Sequence, residues 1–93
     1  DRPKMDRIMN ILFQNGLKKE MPGIGKETCY RAQKMYCADF EGGHRLIIRP
    51  SGTELKLKTY IFSAGETAEE ARLTGKRMEE GIRDFIRKAE IYE

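Results

Sequence analysis

Near the start of the chain Met5, Ile8 and Leu12 recur at spacings of three and four, with Met9 and Phe13 beside them. That period predicts an amphipathic helix over about residues 3–15. Pro3 suits its first turn, where a missing N–H costs nothing, and Gly16 is placed to end it. Residues 16–28 carry Gly16, Pro22, Gly23 and Gly25 and predict a loop, or a loop with one short turn. The period then drops to two. Tyr36, Ala38 and Phe40 alternate with Met35, Cys37 and Asp39, which predicts a strand from Lys34 to Phe40. A second strand runs from His44 to Arg49, rich in Leu46, Ile47 and Ile48, and Gly42-Gly43 must turn the hairpin between them. Leu55, Leu57, Thr59 and Ile61 share one face of a third strand, with Lys56, Lys58, Tyr60 and Phe62 on the other. Helical spacing returns in Ala71, Gly75, Met78, Ile82, Phe85 and Ala89, preceded by a capping box of Thr67 and Glu70. Along that helix Glu79 with Arg83, and Asp84 with Lys88, stand four apart in the favourable order. The order helix, strands, helix predicts an α+β fold, with helices packed on one face of an antiparallel sheet.

At 93 residues the chain is one domain spanning 1–93. Hydrophobic content of 39% beside 35% charged residues describes a globular chain with a core, not a disordered tail. Eighteen Lys and Arg against 15 Asp and Glu leave a net charge of +3. That excess admits an anionic ligand without demanding nucleic acid. Cys29, Cys37 and His44 are too few for a four-ligand zinc site without a carboxylate, so no metal site is expected. The two thiols read as reduced, in a cytoplasmic protein. No apolar run approaches membrane-spanning length, and no membrane partner is expected. The chain opens on Asp1, with Pro3 close behind, and reads as a piece of a longer protein cut at a domain boundary.

Between the second and third strands lies RPSGTE, residues 49–54, where a plain two-residue turn would connect them. Arg49 offers a planar fork of donors that matches a phosphate or carboxylate two bonds at a time. Ser51 and Thr53 add hydroxyls, and Gly52 lets a ligand approach its backbone N–H. Pro50 narrows the conformations open to the loop, and successive main-chain N–H groups in such a turn can form an anion nest. Pro, Ser and Gly are also ordinary turn residues, which leaves a simple connection as the plainer alternative. Ser51 with Glu54 also spells a capping box, but the alternating LKLKTYIF that follows allows no helix.

The string RPSGTE, after the apolar LII and before LKLKTYI, closely resembles the phosphate-binding loop of the α-D-phosphohexomutases, the phosphoglucomutases and phosphomannomutases. The opening helix, with KMDRIM at residues 4–9, is compatible with the start of that family's fourth and last domain. The resemblance implies a fold like the TATA-box-binding protein, and a lid domain that grips the phosphate not being transferred. Arg49, Ser51, Gly52 and Thr53 match the gripping residues. Pro50, Glu54 and Lys56 would support them, with Glu54 orienting Arg49 or the loop backbone. The family motif continues with Pro where this chain has Leu55, which restores an N–H and loosens one backbone angle.

The implied reaction interconverts hexose 1-phosphate and 6-phosphate through a bisphosphate intermediate that turns round, with phosphoglucomutase the first choice. The resemblance places the phosphoserine and Mg2+ in three further domains of the same chain. This piece is then expected to bind no cofactor of its own and to be inactive alone. Its ligand would be glucose 6-phosphate or glucose 1-phosphate. A competing reading takes MPGIGKETC, residues 21–29, as the hairpin of a helix-hairpin-helix DNA-binding module, with helices at 3–15 and 26–37. The strand pattern at Tyr36–Phe40 and the small net charge disfavour it. Lys56 and Lys58 read as a solvated sheet face, with the lesser alternative that Lys56, just after the loop, adds positive potential to it. His44 reads as a surface residue at a strand end.

Overall fold

The computed structural model describes residues 2–52 and 56–91. Six elements follow one another: α1 (Arg2–Asn15), β1 (Ile24–Tyr30), β2 (Met35–Phe40), β3 (His44–Pro50), β4 (Leu57–Phe62) and α2 (Ala68–Ile91). The strands form a four-stranded antiparallel meander in the order β1-β2-β3-β4. Both helices lie on one face: α1 packs on β2 and on α2, and α2 packs on β4. This is the expected α+β architecture.

Alternation sorts each strand into two sides. Tyr36 and Ala38 of β2 face the helices with Leu46 and Ile48 of β3, all fully buried. They meet Ile8, Met9 and Leu12 of α1 and Met78, Ile82, Phe85 and Ala89 of α2 in one core, with Leu57 and Ile61 of β4 packed against it. Burying side chains of this size contributes roughly 1.5–3 kcal/mol each. The stripe expected on α2 is therefore the stripe the fold uses.

The punctuation follows from the residues. Gly16 takes φ +68° and its N–H bonds to the Leu12 carbonyl at 2.8 Å, closing α1. Gly42 and Gly43, at φ +90° and +85°, turn β2 into β3. At the start of α2 the Glu70 N–H donates to Thr67 Oγ1 at 3.1 Å. The return bond goes one residue further back than a capping box requires, from the Glu66 N–H to Glu70 Oε2 at 2.9 Å. Asp84 stands 3.9 Å from Arg87 rather than meeting Lys88.

One expectation is corrected here, and the competing reading falls with it. Residues 24–28, read as part of a loop, belong to β1, an edge strand whose register shifts between Ile24 and Lys26 around Gly25. That irregularity and the polar Lys26 and Glu27 erase the alternation a strand would show. The same strand occupies the stretch that a helix-hairpin-helix module needs for its second helix, so that module is not formed.

Candidate functional site

The loop between β3 and β4 is narrow at its base. Pro50 pairs with Leu57, and the Ser51 N–H donates to the Lys56 carbonyl at 2.9 Å. These two contacts make a hydrogen-bonded neck at one corner of the sheet. Thr53, Glu54 and Leu55 lie outside the described residues.

The structure divides the remaining candidates. Arg49 is exposed on the sheet face opposite the helices. Gly52 is exposed too, and a Cβ built on it would meet nothing within 4 Å. Its φ is not left-handed, so the backbone does not require a glycine here. What the missing side chain leaves is open approach to a main-chain N–H. Ser51 differs from both. It is 1% exposed, the buried polar residue among the described ones, and among those residues no buried side-chain polar atom lacks a partner. Ser51 belongs to the neck, and its hydroxyl would have to turn outward to reach a ligand. Lys56 is exposed, its carbonyl held by Ser51.

Sequence reasoning missed the residue that the register sets opposite Arg49. Arg49 and Lys58 are Cα partners across β3 and β4, so both side chains rise from the same outer face with Cβ atoms about 5 Å apart. Like charges directly opposite one another destabilise a strand pair. Elsewhere on this face the chain avoids that cost: Arg45 Nε donates to Asp39 Oδ1 at 2.7 Å, and this bond raises the guanidinium pKa. Among the described residues no carboxylate stands against Arg49 or Lys58. Counting by twos from the neck would have found Lys58, had the loop's length been known to be six residues.

His44 is also more than a surface residue. It is half-buried, and its Nδ1 accepts the Ala64 N–H at 2.9 Å, holding the chain between β4 and α2. It borders a cleft of about 300 Å³ with Met21, Phe40, Arg77, Met78 and Gly81, which none of the described residues among 49–56 lines. Cys29 is exposed and Cys37 half-buried; both are free thiols, and burial pushes the Cys37 thiol pKa up. No cluster of three or more His, Cys, Asp or Glu suited to a metal is gathered among the described residues. No helix among them is long and apolar enough to cross a membrane.

The chain is similar to a protein of Haemophilus influenzae named a probable phosphomannomutase, 41% identical over 49 residues. The match covers 53% of this chain and 10% of that relative, so the chain spans a small part of the length of the protein it resembles. No family model matches the chain, and no solved structure does.

Proposed function

We propose that this chain is the substrate-phosphate-binding domain of a cytoplasmic phosphosugar mutase, equivalent to the fourth domain of the α-D-phosphohexomutases. The observation that carries the reading is the RPSGTE string at a sheet corner where two cations, Arg49 and Lys58, face outward without a carboxylate among the described residues. The partial likeness to a phosphomannomutase supports the same class of substrate, a hexose phosphate. Glucose and mannose phosphates are both to be tested.

Each residue has a physical part in this reading. Arg49 offers two parallel N–H bonds to phosphate oxygens. Lys58 adds the second positive charge that a dianion requires. Gly52 donates its unobstructed N–H, and Thr53 adds a hydroxyl. Ser51 fixes the neck and contributes its hydroxyl once turned outward, and Glu54 orients Arg49. These groups touch only phosphate, so they would accept a sugar bisphosphate in either orientation. Holding the remote phosphate converts binding energy into positioning at the reacting end. The phosphoryl donor and its Mg2+ would come from other parts of the enzyme.

Titrating the 93-residue chain with glucose 6-phosphate or mannose 6-phosphate tests the reading. Amide shifts should cluster at residues 49–54 and at Lys58, and vanish in Arg49→Met without loss of fold. In a full-length enzyme the same substitution should weaken substrate binding and slow turnover together. Unchanged binding by Arg49→Met removes the proposal.

A further inference from the structure

The outer face of β4 continues past the proposed phosphate corner. Residues two apart on a strand face are about 6.8 Å apart, and the next outward side chain after Lys58 is Tyr60, followed by Phe62. Tyr60 is 39% exposed and Phe62 55%. Neither belongs to the core, which β4 joins through Leu57 and Ile61 on its other side. Across the ladder Tyr60 pairs with the half-buried Ile47, and Phe62 with Arg45, whose charge Asp39 already engages. Moving along β4 from the corner, a doubly cationic row thus gives way to an uncharged row of an aromatic ring beside an aliphatic side chain.

This order of chemistry matches the order of groups in a sugar phosphate. A hexose carries its phosphate at one end, and its ring presents polarised C–H groups on one face with hydroxyls around the rim. The C–H face is attracted to the electron-rich face of an aromatic ring, and a phenol can exchange a hydrogen bond with a rim hydroxyl. One strand step of about 6.8 Å suits a ring joined directly to its phosphate. Phe62, two steps or about 14 Å from Lys58, lies beyond a single hexose.

Resting on the phosphate-site reading above, we infer that Tyr60 is the platform for the sugar ring and makes this site prefer a hexose phosphate over bare phosphate. Tyr60 positions substrate and takes no part in phosphoryl transfer.

The test compares dissociation constants for inorganic phosphate and glucose 6-phosphate, by NMR titration of the 93-residue chain and its variants. The wild type should bind the sugar phosphate about two- to tenfold more tightly, the range of one aromatic contact. Tyr60→Thr, which keeps strand propensity, should bring the two constants together while leaving that for inorganic phosphate unchanged. Tyr60→Phe should retain most of the preference, and Phe62→Thr all of it. A preference that survives Tyr60→Thr, or its absence in the wild type, overturns the role of Tyr60 and leaves the phosphate site standing. A wild-type chain that binds neither ligand overturns the phosphate site itself, and the inference with it. Tyr60→Phe guards against misreading a folding defect, since it preserves the ring and removes only the hydroxyl.

Discussion

Two corners of this molecule treat polar groups in opposite ways. Where α1 meets β1, the Glu27 carboxylate accepts the Leu17 N–H at 2.7 Å and the hydroxyl of the fully buried Tyr36. Gly16 stands left-handed at φ +68°, and a Cβ there would push against the Glu27 carboxylate, so a larger residue would strain the backbone and displace that carboxylate. At the β3–β4 corner, Gly52 has space around it, and Arg49 and Lys58 share one face with no carboxylate among the described residues. The first corner is closed on itself and holds the fold. At the second, the register sets two cations opposite each other on the outer face, which costs the strand pair stability.

The largest effect expected from breaking this contrast is Glu27→Ala. It strips the acceptor from a buried phenol and from the Leu17 N–H, and should cost about 3 kcal/mol of stability in urea unfolding with phosphate affinity unchanged. Glu27→Gln, which keeps one acceptor oxygen, should cost less.

A second test uses pH. Burial, with the Glu27 hydrogen bond and charge adding to it, holds the Tyr36 pKa far above the ordinary value for tyrosine. Above pH about 10 an unfolded Tyr36 loses a proton that the folded chain keeps. The unfolded state then binds fewer protons, so the contribution of this residue is complete below that pH and is lost as pH rises. Stability should fall by up to about 1.4 kcal/mol per pH unit from Tyr36 alone, and Tyr36→Phe should abolish that slope.

The smallest effect on folding is expected at the other corner. Gly52→Ala should change stability by less than about 0.5 kcal/mol, because its Cβ meets nothing. It should nevertheless weaken inorganic phosphate binding severalfold by obstructing the N–H. Equal binding by Gly52→Ala and the wild type would mean that the open space there serves no ligand.

What could be read from residues alone follows the same division. α1, α2 and strands β2 to β4 announce themselves by period, because one side of each is buried in a single core. Gly16, Gly42-Gly43 and Thr67 mark their ends for local steric and hydrogen-bonding reasons. β1 stayed hidden because its strand character is imposed by β2: Gly25 sits in a register shift, and Glu27 turns a polar side chain inward to partners ten and nine residues away. Glu27 in a stretch of Gly and Pro looks like a solvated charge until Tyr36 is placed beside it. At the candidate site, the string at residues 49–54 was legible as chemistry, while the burial of Ser51 and the opposition of Arg49 to Lys58 emerged only from the register.

A four-stranded meander has two open flanks, each a row of backbone groups on which a foreign strand could grow. On the β1 flank the register shift at Gly25 misaligns that row, and on the β4 flank Lys58 interrupts the β-prone run toward Phe62 with charge. The lysine set opposite Arg49 thus also guards the border of the sheet against polymerisation, so a charge awkward for one molecule keeps many molecules apart.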